Sequence, residues 1–177
     1  QRKMVEPCSI VIFGASGDLT ARKLIPALYH LFKEKQLPPA FRIIGFARRE
    51  KTDESFRAEL RAALDQFSRT QPVDVAVWSE FATHVVYCMG DLTDPAAYQK
   101  LAQRLTGFGD PALRNNLLFY LAISPSQFGA AVEQVVARAR KGNVAVAYSL
   151  PHGESAKHWK DLRAKLRAEQ LDARVFV

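Results

Sequence analysis

Cysteine is nearly missing from this chain: two in 177 residues, Cys8 and Cys88. Two thiols make no disulfide framework, and they lack metal-ligand spacing. Cys8 opens an expected first strand and Cys88 closes a later one. Those are opposite ends of a parallel sheet, where a bridge has poor geometry, so reduced thiols in a cytoplasmic protein are the reading. Long apolar runs are missing too. None approaches the roughly 20 residues that span a bilayer. The basic start, Gln1-Arg2-Lys3-Met4, is not followed by the apolar stretch of a secretory signal. Internal repeats, low-complexity tracts and Gly/Ser linkers are also absent, and the length suits one domain over residues 1–177.

With 48% hydrophobic and 24% charged residues, the chain can bury a core and is not of disordered composition. Its net charge of +7 raises the question of nucleic acid. The basic residues are dispersed, however, as at Arg22-Lys23, Arg48-Arg49 and Arg138-Arg140-Lys141, with no aromatic-interleaved stripe. Solvated helix faces and a phosphate pocket account for the charge without nucleic acid or a membrane as partner.

Short apolar runs alternate with amphipathic stretches. Strands are expected at 9–14, 42–47, 84–89, 117–122, 144–148 and 173–177. Helices are expected at 21–35, 53–68, 95–105, 125–141 and 155–170, with a turn or helix at 73–81. This order predicts an α/β fold: a doubly wound, mostly parallel sheet of about six strands with helices on both faces, Rossmann-like. Boundary signals agree. Asp94-Pro95 sets a capping carboxylate before a first-turn proline. Ser124 to Gln127 offers a capping box, Gly142-Asn143 a left-handed stop, and Leu37-Pro38-Pro39 a block to the first helix.

The most informative stretch is SIVIFGASGDLTARKLIP, Ser9 to Pro26. Strand, glycine turn, helix is the arrangement that aims backbone N–H groups and a helix N-terminus at a phosphate. Gly14-x-x-Gly17 is not the full G-x-G-x-x-G/A fingerprint, because Ala15 and Ser16 intervene and Thr20 takes the third small position. Gly14 suits the tight turn, Gly17 a close backbone approach, and the Ser16 hydroxyl a phosphate oxygen. Asp18 repels phosphate and fits better as an N-cap or loop brace. A tight turn without ligand is the alternative. The second strand ends Gly45-Phe46-Ala47-Arg48-Arg49. An acidic residue there favours NAD and an arginine the 2′-phosphate of NADP, so Arg48 points to NADP. Arg49 and Lys51 read as a solvated basic loop.

Together these residues resemble the coenzyme domain of glucose-6-phosphate dehydrogenases. The family's G-A/G-S/T-G-D-L and basic stretch match Gly14 to Lys23, and its Gly-x-Ala-Arg matches Gly45 to Arg48. Gly90-Asp91-Leu92 and the Asn-x-Leu-Phe-Tyr-Leu-Ala run from Asn116 to Ala122 fit as well, in order and at the family's spacing. The resemblance implies an oxidoreductase of the pentose phosphate pathway, passing a hydride from C1 of glucose 6-phosphate to NADP+. It implies cofactor contacts from the turn Gly14, Ala15, Ser16, Gly17, Asp18 and Leu19. Arg48 is implied on the 2′-phosphate, and Ala122 and Ile123 beside the nicotinamide.

Departures gather late in the chain. The family's Glu-Lys-Pro-Phe-Gly, whose lysine touches sugar phosphate and coenzyme, reads Ser149-Leu150-Pro151-His152-Gly153 here. Its Arg-Ile-Asp-His-Tyr-Leu-Gly-Lys would follow near Arg174, beyond which only three residues remain. The histidine base and the substrate domain are therefore expected to be absent, and no catalytic residue is assigned. Ser124 replaces a proline and Phe128 a cofactor-bonding tyrosine.

Among the histidines, His152 alone is expected at the ligand rim, and without a carboxylate partner it reads as a loop residue. Tyr29 to Lys33 has the Tyr-x-x-x-Lys spacing of short-chain reductases but sits on the first helix, away from the strand ends, as a decoy. Trp78, Trp159, Phe32 and Phe56 read as core or interface. Two alternatives stay open: a non-catalytic nucleotide-binding or assembly module, and a small NADP-dependent reductase. A face left uncovered by the absent domain is expected to be apolar and to self-associate.

Overall fold

The fold, from a computed structural model, is described for residues 7–69, 71–138, 143–149 and 172–176. The six strands are β1 (Cys8–Phe13), β2 (Phe41–Ala47), β3 (Val85–Met89), β4 (Asn116–Leu121), β5 (Asn143–Ser149) and β6 (Asp172–Phe176). They form one sheet in the order β3-β2-β1-β4-β5-β6, every neighbouring pair parallel. This is the doubly wound order, and it reverses direction between β1 and β4.

The helices are α1 (Ile25–Lys33), α2 (Asp53–Phe67), α3 (Val75–Ala82), α4 (Pro95–Thr106), α5 (Pro111–Asn115) and α6 (Phe128–Arg138). Alternate strand residues face opposite sides, and both sides of β1 to β4 are covered, so these strands read as nearly continuous apolar runs. Val11, Phe13, Ile44 and Phe46 join the core with residues of α4 and α6. Ile10, Ile12, Ile43 and Val85 join the other core with residues of α1, α2 and α3. Phe13, fully buried, stacks on Phe119 at 5.7 Å and meets Phe46 edge-on at 5.2 Å, centroid to centroid. It pins β1 between its neighbours; truncating such a ring costs about 3–5 kcal/mol.

Three local expectations are corrected. The first helix is not regular: helical from Asp18, it widens into a π-turn at Thr20–Leu24, where the Ile25 amide donates to the Thr20 carbonyl. Pro26 supplies the reason, since it has no N–H for the Arg22 carbonyl and its ring crowds that group. The same helix stops before the prolines. Lys35 turns left-handed at φ 56°, and the Lys35 and Gln36 amides reach back to the Phe32 and Leu31 carbonyls at 3.0 and 2.8 Å. That is a Schellman closure at a residue other than glycine. Ser124 to Gln127 forms a 3₁₀ turn at Pro125–Gln127 instead of a capping box, with the Ser124 hydroxyl bonded to that of Ser126 at 3.0 Å.

One helix was not anticipated. α5 is capped by Asp110, whose carboxylate takes the Ala112 amide at 2.9 Å. The expected 155–170 helix, the 142–143 stop and Trp159 lie outside the described residues, although Asn143 itself opens β5. No helix among the described residues is long and apolar enough to cross a membrane.

β3, at one end of the strand order, does not present a bare edge. Arg57 of α2 donates to the Val85 carbonyl at 2.9 Å, and the Tyr87 amide donates to Asp53 at 2.8 Å. Asp53 also takes Arg104 of α4 at 2.6 Å. Side chains thus occupy outward backbone groups that another strand would pair with.

Candidate functional site

Register aligns the strand ends. Phe13 pairs with Phe46 on one side and Leu121 on the other, and Ala47 pairs with Met89. Gly14, Arg48 and Ala122 therefore emerge on one rim, with β1 in the middle. Two strand spacings separate the β2 and β4 ends, about 10 Å. The rim straddles the point where strand order reverses, the place at which doubly wound sheets bind ligands.

The turn after β1 is tightly determined. The Gly14 and Ala15 amides both reach the Phe46 carbonyl, at 3.1 and 3.4 Å. Gly14 sits at φ +82°, and a Cβ there would lie 2.2 Å from the Ala122 carbonyl oxygen. β4 can approach β1 only because this residue is glycine. The Gly14 carbonyl is doubly used, accepting the Gly17 amide at 2.9 Å and the buried Thr20 hydroxyl at 3.1 Å. Thr20 thus ties the π-turn to the glycine turn. Gly17 serves the turn itself as well, because a Cβ would come within 3.1 Å of the Gly14 oxygen.

Among the described residues, no protein acceptor takes the amides of Ser16, Asp18 or Leu19. Ser16 is exposed, and Asp18 and Leu19 begin the helix. Unpaired first-turn N–H groups with a free hydroxyl suit phosphate oxygens. Asp18 is not an N-cap. Its carboxylate accepts from Arg22 at 2.5 Å, four residues on, so it acts as the brace. Arg22 also lies over the Phe67 ring at 4.7 Å, which commits this cation to the protein.

The loop after β2 carries Arg48, which is exposed and makes no salt bridge with the described residues. Asp91 follows β3 beside it. The Asp91 carboxyl is held below its usual pKa, first by the Thr93 amide, then by the Thr93 hydroxyl, with a smaller contribution from Arg48. The reading of Lys51 as solvated is corrected: it pairs with Glu59 and lies 5.9 Å from the Phe56 and Tyr87 ring centroids. Arg49 is exposed as expected.

The family-motif glycines of the rim have packing reasons. A Cβ on Gly45 would lie 2.5 Å from the Phe56 ring, and one on Gly90 would lie 2.6 Å from the Ala97 Cβ. Both let a helix of the next unit press onto the sheet. On the β4 side, the Ala122 amide donates to the Phe13 carbonyl at 2.9 Å, and Ile123 touches the Gly14 position.

The matches run through these same elements. A family model described as glucose-6-phosphate dehydrogenase, NAD binding domain, covers residues 11–177. The chain belongs to the glucose-6-phosphate dehydrogenase family. It is 44% identical over 130 residues to the glucose-6-phosphate 1-dehydrogenase of Chlamydia pneumoniae, covering 73% of this chain and 25% of that protein. The counterpart in Treponema pallidum is 38% identical over 170 residues, 93% of this chain and 33% of that protein. A solved structure of glucose-6-phosphate dehydrogenase in complex with glucose-6-phosphate superposes with a TM-score of 0.84 at 28% identity. It spans 100% of this chain, which spans 37% of it. The enzyme from Mycobacterium avium gives 0.76 at 31% identity, over 93% of this chain and 34% of its own. The chain thus spans a quarter to about a third of its curated relatives, in the dinucleotide-binding part of the glucose-6-phosphate dehydrogenase fold.

Two residues set aside as non-functional, Tyr29 and His84, sit away from this rim. Tyr29 of the reductase-like spacing is buried, its hydroxyl accepting the Asp74 amide at 3.2 Å. His84 stacks on Phe41 at 4.1 Å, before the start of β3. Phe128, in place of the family's tyrosine, is fully buried in the core. Trp78 and Phe56 are core as expected. Cys8 and Cys88 are unbridged, burial being the largest cause raising both thiols. Leu150, His152 and the side chain of Tyr148 lie outside what is described.

Proposed function

We propose that the chain binds NADP across the carboxyl ends of β2, β1 and β4, as the coenzyme domain of an enzyme that oxidises glucose 6-phosphate at C1. The pyrophosphate lies over Ser16, Gly17, Asp18 and Leu19, the support being the Ser16, Asp18 and Leu19 amides, which have no protein acceptor among the described residues, and the exposed Ser16. Arg48 takes the 2′-phosphate, and Ala122 and Ile123 border the nicotinamide half. The three stations follow the rim in the order of an extended dinucleotide. When bound, the coenzyme supplies the hydride acceptor; this chain's own residues bind and orient it.

The observation that carries the NADP preference is Arg48, exposed at the β2 end without a salt-bridge partner among the described residues. A guanidinium without an ion-pair partner offers a planar fork that matches a phosphate. Sugar oxidation needs a base and a sugar-phosphate site, which the reading assigns to a further domain. A cytoplasmic location and self-association of the isolated chain, through the face that a further domain would cover, belong to the same proposal. Among the described residues the large exposed apolar side chains are Val75 on α3, at 66%, and Met89 at the end of β3, at 44%, and only Met89 lies at this rim.

Calorimetric titration of NADP+ and NAD+ into the chain and into Arg48→Gln tests the preference. The native chain is expected to favour NADP+ by tenfold or more, about 1.4 kcal/mol, and the variant to lose most of that margin. Equal affinities in the native chain overturn the reading.

A further inference from the structure

Arg48 can discriminate between coenzymes only if its backbone is held where the guanidinium meets the 2′-phosphate. The loop that carries it is exposed from Arg48 to Glu50. Its anchor comes from the neighbouring strand. Tyr87 of β3 is buried, and its hydroxyl bonds the Ala47 carbonyl at 3.2 Å and also the Arg49 carbonyl. Those carbonyls belong to the Ala47–Arg48 and Arg49–Glu50 peptide groups, so they bracket the pair Arg48-Arg49. No other side chain among the described residues bonds the backbone on both sides of this pair.

The phenol is itself fixed. The Tyr87 amide is held by Asp53, its ring packs on Phe56 at 5.0 Å, and opposite it in register stands Gly45. The Ala47 carbonyl also receives the Gly90 amide at 2.9 Å, which closes the β2 and β3 ends together.

We propose that Tyr87 is a positioning residue for coenzyme choice, its hydroxyl holding the peptide groups on either side of the Arg48-Arg49 pair so that the Arg48 guanidinium is pre-set for the 2′-phosphate. This rests on the reading of Arg48 given above. Carbonyl oxygens only accept and a phenol has one proton, so the clamp is a single O–H shared between the two carbonyls and requires the protonated form. Burial, followed by the nearby Glu59 carboxylate, raises the Tyr87 pKa and keeps it so. Pre-setting a charged group spares the ordering that binding otherwise demands of it.

The test titrates NADP+ and NAD+ by calorimetry into the 177-residue chain, Tyr87→Phe and Arg48→Gln, with urea unfolding of each in parallel. Tyr87→Phe is expected to weaken NADP+ by about fivefold, the loss of one hydrogen bond, and to leave NAD+ nearly unchanged. Equal losses for both coenzymes make Tyr87 merely structural and overturn the inference. So does an unchanged ratio in Tyr87→Phe alongside a collapsed ratio in Arg48→Gln. If Arg48→Gln keeps the NADP+ preference, the underlying reading of Arg48 fails instead. A fluorinated tyrosine at position 87, which ionises nearer neutrality, gives a readout independent of the Phe variant's stability. With it, the NADP+ affinity should fall with rising pH while NAD+ affinity stays level, and parallel pH profiles contradict the clamp.

Discussion

Gly14→Ala and Gly109→Ala form a matched pair that isolates what the close approach of β1 and β4 demands. Both glycines have positive φ, +82° and +72°. Both substitutions therefore carry the left-handed penalty of an L-residue, about 1–2 kcal/mol. Only Gly14 adds a collision. Its Cβ would lie 2.2 Å from the Ala122 carbonyl oxygen and 2.9 Å from the carbonyl carbon, whereas Gly109 has nothing within 4 Å. The obstacle is backbone, so no rotamer change relieves it, and overpacking of this kind costs about 1–3 kcal/mol more. For a chain of this size each kcal/mol lowers Tm by about 2–4 °C, so Gly14→Ala should melt about 2–12 °C below Gly109→Ala. Displacing Ala122 also opens the rim, so NADP+ affinity should fall in the first variant and hold in the second. Calorimetric melting and titration read both. Equal melting losses at the two positions, with equal affinities, would refute the argument.

Thr20→Val removes the buried hydroxyl from the Gly14 carbonyl. It should cost about 1 kcal/mol in urea unfolding and weaken NADP+, while Thr20→Ser retains both. Asp53→Ala strips partners from the Tyr87 amide and Arg104. A loss of about 1–3 kcal/mol is expected, together with concentration-dependent association through the exposed β3 edge, read by sedimentation. The pKa of Asp91 is lowered in the folded state, so its stabilisation is present above the unfolded value near 4 and is lost as pH falls through the lower folded value. Asp91→Asn should therefore flatten the acid side of the Tm–pH curve, and an unchanged acid limb would contradict this.

The sheet was legible because each strand is a short apolar run between strong punctuation, and the parallel order followed from helices alternating with strands. The glycine turn and Arg48 were legible for the same reason, being local to one chain segment. α5 had the same Asp-Pro start as α4, at Asp110-Pro111, and was hidden by its length of 5 residues. The π-turn was foreshadowed by Pro26, whose missing N–H is a local fact, but its tie from Thr20 to Gly14 is a matter of geometry. What the sequence could not reveal is the support beneath the rim. Tyr87 reaches a loop 38 residues earlier, and Asp53 and Arg104 meet across 51 residues. Neither pairing has a periodic or motif signature. Gly45 and Gly90 were visible as motif letters, but their cause, the Phe56 ring and the Ala97 methyl, appears only once the helices are packed.

Backbone amide NMR of the chain during titration with NADP+ tests the account most directly. The account predicts the largest shifts at Ser16 to Leu19, Arg48, Ala122 and Ile123, with His84 and the residues of α3 unmoved. Shifts centred anywhere but the carboxyl rim of β2, β1 and β4, or no shifts at saturating NADP+, would contradict it.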